Sequence, residues 1–128
     1  MRKIKFRGKQ PDNGEWIYGY YIGDCGDGMH EICTETDGIM LDVDPETVGE
    51  LTGLLDKNGK EIYEGDVIKM TWYNSYGTQK ECIGEVKYDQ TDCRFIIGAR
   101  KWLRAYGSHL EVIGNIHDNQ ELLEGVNQ

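Results

Sequence analysis

The chain has 128 residues, the size of a single domain, which excludes two large domains. Hydrophobic residues make up 38% and aromatic residues 10%, so the composition predicts a packed core and excludes a disordered chain. Fourteen Lys and Arg against 23 Asp and Glu give a net charge of -9, which disfavours nucleic acid as a partner.

The basic N-terminal segment predicts the first strand. Arg2–Arg7 alternates cationic and apolar side chains with the period of a half-buried strand. Residues 1–9 contain five bases and no acid, whereas residues 10–56 contain twelve acids and no base. If the two segments pair, opposite charges meet across strands, at about 0.2–1 kcal/mol for each good pair. The alternative is an acidic surface that binds a basic partner or imitates nucleic acid, and both interpretations stay open.

Turn residues divide the rest of the first half into short segments. Asn13-Gly14 supplies the positive φ that a hairpin turn needs. The strands predicted after it are Glu15–Ile22, Met29–Thr34, Ile39–Val43 and Leu51–Leu55. Asp44, at a candidate N-cap before Pro45 and Glu46, predicts one short helical turn.

The second half has the same punctuation. The predicted strands are Val67–Tyr73, Lys80–Tyr88, Cys93–Ile97 and Leu110–His117. Asp118, followed three residues later by Glu121, resembles a capping box and predicts one or two helical turns. Residues 99–106 fit either a helix or a continuation of the preceding strand.

Short strands, glycine-marked turns and almost no helix predict a mainly β fold. We expect one domain over residues 1–128, with an N-terminal β-hairpin region at 1–50. Residues 51–128 are expected to form a small antiparallel barrel of the SH3-like type and a short C-terminal helical turn.

Two segments resemble the signature of a known family. Val48–Val67, which reads VGELTGLLDKNGKEIYEGDV, and Val112–Asn119, which reads VIGNIHDN, are similar to the central and closing motifs of the YopX family of phage and prophage proteins. Arg2–Arg7 fits the family's opening. Gln120 departs from it, because a proline is common there, and Glu50-Leu51 stands where glutamine and an aromatic residue are usual.

The resemblance implies a mostly β protein with a barrel-like part, carried by mobile elements in a bacterial host, with no established enzymatic activity. It supplies no catalytic residue. We interpret the signature residues as shaping turns rather than performing chemistry. They are Thr52, Gly53, Asp56, Gly59, Tyr63, Gly65, Asp66, Gly114 and Asn115.

Candidate chemical motifs are weak. Cys25, His30 and Cys33 lack the paired-cysteine spacing of a structural zinc site. Asp56–Gly59 begins like a calcium loop, but the sixth-position glycine and twelfth-position glutamate of an EF-hand are missing. Ser108-His109 are neighbours that point to opposite faces of a strand. We therefore predict no enzyme, no catalytic residue, no cofactor and no metal. The four cysteines are expected to be free thiols.

Four aromatic residues could form a binding surface on the second-half sheet, namely Trp72, Tyr73, Tyr76 and Tyr88. Core packing is the alternative for each. The leading hypothesis is a non-enzymatic protein-interaction or self-assembly module with an unknown protein partner, which could be a second copy. A nucleic-acid-binding barrel or an acidic nucleic-acid mimic is the alternative. No apolar run approaches the roughly 18 residues of a membrane span, so we expect no membrane partner and a cytoplasmic location in a bacterial host.

Overall fold

A computed structural model of the chain describes residues 3–24, 26–98, 101–102 and 108–124. The strands that begin in the first half are β1 (Phe6–Lys9), β2 (Trp16–Ile22), β3 (Glu31–Thr34), β4 (Met40–Asp42) and β5 (Gly49–Leu55). Those of the second half are β6 (Glu61–Tyr63), β7 (Asp66–Tyr73), β8 (Gln79–Asp89), β9 (Arg94–Ile97), β10 (Lys101–Trp102) and β11 (Ser108–Asn115). Short 3₁₀ turns occupy Pro45–Thr47 and Gln120–Leu123. The mainly β prediction is confirmed.

The strands form two antiparallel sheets, with hydrogen-bonded orders β4-β3-β2-β1-β5-β6 and β10-β9-β8-β7-β11. The small antiparallel barrel expected for residues 51–128 is not observed in closed form, because the described strands β7 to β11 of that half make an open sheet. The edge of β11 shows why this sheet does not close. The turn after β5 covers this edge, where Lys57 N donates to Leu110 O at 2.7 Å and Val112 N donates to Asp56 Oδ2 at 3.1 Å. A turn therefore occupies hydrogen-bonding groups that a closing strand would need.

The chain divides into two compact units, Met1–Leu51 and Thr52–Gln128. This boundary lies one residue beyond the division predicted between residues 50 and 51.

Unit 1 centres on β1, which pairs with β2 on one side and β5 on the other. Its fully or nearly buried apolar side chains include Ile32, Val43 and Leu51. Gly8 lies against them, because a Cβ at this position would come within 3.1 Å of Val43 and 3.3 Å of Ile32. The predicted first strand exists but is displaced toward the C-terminus, since pairing with β2 begins at Phe6.

Unit 2 has the larger core, to which one face of its five-stranded sheet and Ile62 of β6 both contribute. The buried cluster consists of Ile62, Ile68, Met70, Val86, Ile97 and Leu110. Because side chains alternate along a strand, Lys69, Thr71 and Tyr73 of β7 lie on the face opposite to Ile68 and Met70.

The two helical turns differ in how they begin. At Pro45–Thr47 the prediction is confirmed, since Asp44 is the N-cap and Asp44 Oδ1 accepts a hydrogen bond from Glu46 N at 3.1 Å. The second turn begins after Asn119, without a side-chain capping bond, so the capping box at Asp118 was wrong. Instead, Asp118 Oδ2 accepts from Asn115 Nδ2 at 3.1 Å, which draws the carboxylate back to the end of β11.

Three further predictions are settled in part. Cys33, Cys82 and Cys93 are free thiols, and Cys25 lies outside the described residues. In the ambiguous segment 99–106, residues 101–102 form a strand, and the others lie outside the described residues. Within the described part of the chain, no helix has the length and apolar character needed to cross a membrane.

Candidate functional site

The first signature turn is organised by the carboxylate of Asp56, which is only 6% exposed. Its Oδ1 accepts hydrogen bonds from Asn58 N at 2.8 Å and Lys60 N at 2.9 Å, and its Oδ2 accepts from Val112 N at 3.1 Å. Burial raises the pKa of Asp56, but the three backbone hydrogen bonds outweigh it and hold that pKa below its usual value. Gly59 completes the turn at φ 81°. The three hydrogen bonds that the Asp56 carboxylate accepts here all come from backbone amides. This arrangement leaves Asp56 unsuited to acid–base catalysis.

The second signature turn joins β6 to β7. Asp66, 1% exposed, accepts a hydrogen bond from Tyr63 N at its Oδ2 at 2.8 Å. Gly65 has φ 88°, a left-handed conformation that glycine adopts without a steric cost. Its N–H donates to Val86 O at 2.9 Å, and its carbonyl accepts from Ile116 N at 2.9 Å. The turn therefore joins β7 to both neighbouring parts of the sheet.

The remaining signature residues also contact backbone. Thr52 Oγ1 donates to Ile62 O at 2.9 Å and accepts from Leu54 N at 3.1 Å, around Gly53 at φ 89°. Asn115 Oδ1 accepts from the amides of His117 and Asp118 at 3.0 and 2.9 Å.

The structure does not bring the four predicted aromatic residues onto one surface. Trp72 packs against the buried core of unit 2, whereas Tyr73 lies on the opposite face of β7 and is 63% exposed. Tyr76 lies in the β7–β8 turn at 91% exposure. Tyr88 packs edge-on against Phe95 with ring centroids 5.3 Å apart. Tyr73 is thus the one of the four that lies on the solvent face of this sheet.

In unit 1, cationic side chains of β1 and of the residue before it lie over aromatic rings of β2. The Arg7 guanidinium lies 4.6 Å from the Trp16 ring centroid, and Lys5 Nζ lies 5.5 Å from that of Tyr18. Lys5 and Lys3 also contact Glu35, at 3.2 and 3.5 Å. The hydrogen bond from Lys5 lowers the pKa of the Glu35 carboxyl. The basic start of the chain is therefore paired with acid from the next segment.

The same sheet ends at β4 with an exposed edge. Val43 N donates to His30 O at 3.0 Å and Thr34 N donates to Ile39 O at 2.8 Å, so odd-numbered residues face β3. Antiparallel geometry then turns the backbone N–H and C=O of Met40 and Asp42 away from β3. Ile39 is 52% exposed and Met40 is 41% exposed.

Acid concentrates beside this edge. Asp42 lies directly opposite Glu31 in the β3–β4 register. Like charges in directly opposite positions repel, so this row favours a cation beside it. We call Ile39–Asp42, together with Glu31, the β4 edge.

Unit 2 has a groove of about 320 Å³ on its solvent face. The register pairs Thr71 with His109, Lys69 with Glu111, and Tyr73 with Gln79. These residues line the groove with Lys57. Of the residues that line the groove, Tyr73 is the one that the aromatic pattern of the sequence predicted as part of a binding surface. The alternation along β7 could have indicated Lys69 and Thr71, but His109 and Gln79 join them only through strand pairing.

The candidate zinc set of Cys25, His30 and Cys33 includes Cys25, which lies outside the described residues. His30 Nδ1 lies 2.6 Å from the Tyr21 hydroxyl, in an aromatic contact. Over the described ranges, no three His, Cys, Asp or Glu residues converge as metal ligands.

Comparison with known proteins supports the same architecture. The chain is similar to a crystal structure of protein EF1440 from Enterococcus faecalis, with 25% identity, a TM-score of 0.64, and coverage of 96% of this chain and 99% of that chain. No curated protein matches the sequence. The family model described as YopX protein matches residues 5–124. That match spans nearly all of the chain, including both signature turns and the end of β11, and the chain therefore belongs to the YopX family.

Proposed function

We propose that the chain is a non-enzymatic protein-interaction module that binds a basic, extended segment of a partner protein along the β4 edge. The observation that carries this proposal is an outward row of backbone groups at Met40 and Asp42, at the end of a sheet. An extended segment can add to such an edge through main-chain hydrogen bonds.

Charge selects the chemistry of the partner. Glu31 and Asp42 stand opposite each other on neighbouring strands, and residues 10–56 contain no base. A Lys or Arg of an added strand would lie beside Asp42 and relieve the repulsion in that row. The exposed side chain of Ile39, on the face opposite to Asp42, would pack against apolar residues that alternate with those cations in the same strand.

A synthetic peptide with alternating Lys and Val provides the probe. We expect added peptide to shift the NMR amide signals of residues 39–43. The affinity of the peptide should fall as salt is added, since salt screens ion pairs. A peptide of equal length and charge with two Val replaced by Pro is the control, because Pro cannot donate to the added ladder. Equal binding of both peptides, or shifts spread over all acidic loops, would contradict strand addition.

Matched variants localise the charge. Asp42→Asn is expected to weaken peptide binding several-fold, and Asp37→Asn, at an exposed acid in the β3–β4 turn, is expected to leave it unchanged. Equal losses in the two variants would show attraction to net charge alone.

A second copy of the chain is the other candidate to bind at the same edge. Two acidic copies repel, so pairing of β4 with β4 of a second copy would strengthen with salt, and light scattering would detect it as a dimer. Salt-promoted dimerisation without peptide binding would replace the proposal with self-assembly. We also propose, from the family resemblance, a phage origin, a cytoplasmic location and an SH3-like subtype for the second-half sheet. The nucleic-acid-binding alternative is less supported, because Lys57, Lys69 and Lys87 of the second half each lie within 4.0 Å of a carboxylate.

A further inference from the structure

The shape of the groove on the solvent face of unit 2 is fixed by hydrogen bonds of the backbone. Lys57 forms one side, and its position is set by the bond from Lys57 N to Leu110 O at 2.7 Å and by the buried carboxylate of Asp56 beside it. The floor consists of β7 and β11 side chains in register, Lys69 opposite Glu111 and Thr71 opposite His109. Strand pairing and a pinned turn therefore hold the groove without a ligand.

Each lysine that lines the groove is paired with a carboxylate, one within the lining and one, Glu81, outside it. Lys57 Nζ lies 3.6 Å from Glu111 Oε2, and Lys69 Nζ lies 3.5 Å from Glu81 Oε2. Each cation has a carboxylate beside it, so neither a phosphate nor a metal ion would meet an uncompensated charge. A neutral ligand avoids the desolvation cost of either ion.

The polar groups suit hydroxyls. Glu111 accepts hydrogen bonds, the lysines donate them, and Thr71 and Gln79 do both. A ligand that matches this surface carries several hydroxyls, each of which can donate and accept.

Tyr73 adds the one large apolar surface. It is 63% exposed and lines the groove with its cross-strand neighbour Gln79. The C–H face of a pyranose ring can pack on an aromatic ring while its hydroxyls reach the polar groups around it. The volume of about 320 Å³ is at the lower end for ligand pockets, which fits a single sugar ring.

We propose that this groove binds one neutral sugar residue, packed on Tyr73 and hydrogen-bonded by Thr71, Gln79 and Glu111. The site is separate from the β4 edge, and neither proposal depends on the other.

NMR titration of the full chain tests the site with three probes: methyl β-D-glucopyranoside, methyl β-D-galactopyranoside and N-acetyl-D-glucosamine. We expect saturable shifts for at least one probe at amides of residues 69–73 and 109–111. Failure of all three to saturate would overturn the proposal, as would tighter binding of inorganic phosphate at the same amides.

Variants separate stacking from folding. Tyr73→Ala is expected to weaken sugar binding about tenfold, whereas Tyr73→Phe keeps the ring and most of the affinity. Tyr76→Ala is the matched control, because Tyr76 is 91% exposed and does not line the groove. Circular dichroism checks that each variant is folded. Equal losses in Tyr73→Ala and Tyr76→Ala would overturn the proposal.

Discussion

At the scale of single residues, buried acids in this protein serve the backbone. Asp56 and Asp66 are 6% and 1% exposed, and both accept hydrogen bonds from main-chain amides of their own turns. An aspartate in such a turn satisfies donors that burial would otherwise leave without water. This is why the signature combines aspartates with glycines: the carboxylate accepts hydrogen bonds from amides of a turn that also contains a left-handed glycine.

Asp56→Asn is expected to lower the free energy of unfolding by about 2–3 kcal/mol at pH 7, because a neutral amide replaces a carboxylate that accepts three backbone bonds. The folded pKa of Asp56 is depressed, so its contribution is complete above the unfolded value of about 3.9 and is lost as pH falls through the folded pKa. The difference between wild type and variant should therefore shrink below about pH 4.

Urea unfolding from pH 7 to pH 2 measures this dependence. Asp12→Asn, at an exposed acid in the β1–β2 turn, is the control and should follow wild type. A difference for Asp56→Asn that stays constant down to pH 2 would contradict the charge-assisted role.

At the scale of elements, the end of β11 requires close approach. A Cβ on Gly114 would lie 2.6 Å from Leu122 Cδ1 and 2.7 Å from Asn119 Oδ1. The second 3₁₀ turn thus packs directly on the strand backbone. The β-bulge between Val112 and Gly114 shifts the register with β7 at the same place.

Gly114→Ala is expected to destabilise the fold by about 1–3 kcal/mol, because the added methyl group displaces the turn. Gly23→Ala is the matched control: neither glycine has a positive φ, and the nearest side-chain atom to a Cβ at Gly23 is 3.7 Å away. Thermal unfolding monitored by circular dichroism compares the two. Similar melting temperatures for both variants would show that the C-terminal turn adapts freely.

At the scale of the whole molecule, the two units differ in how much apolar surface they bury. Unit 2 has a cluster of six buried hydrophobic residues, with β7 between β8 and β11. The described core of unit 1 is smaller. Local stability follows burial and hydrogen bonding, so the units need not open together.

Hydrogen exchange followed by NMR should therefore find the slowest amides in β7, with β4 exchanging much faster and the best-protected amides of unit 1 in between. Protection that is equal in both units would instead indicate a single cooperative domain, as the sequence predicts for residues 1–128. Slowest exchange in unit 1 would contradict the ranking.

Much of the fold was predictable from local sequence. Alternation in the first strand, and apolar runs bounded by turn residues thereafter, placed nine of the eleven described strands with shifted ends, but β6 at Glu61–Tyr63 was missed. Gly65-Asp66 and Asp56–Gly59 marked their turns, because few residues adopt those backbone conformations. The capping box at Asp118 was wrong: Asn119 is the N-cap, and the Asp118 carboxylate accepts from Asn115 Nδ2 at the end of β11.

The sequence by itself determined the mainly β class, the turns and the family, since each depends on residues close together in the chain. Only the tertiary structure decided that Tyr73 faces solvent with Thr71 and His109 while Trp72 enters the core, and that the second sheet stays open. Those outcomes depend on register between strands distant in sequence, and a shift of one residue would exchange the two faces.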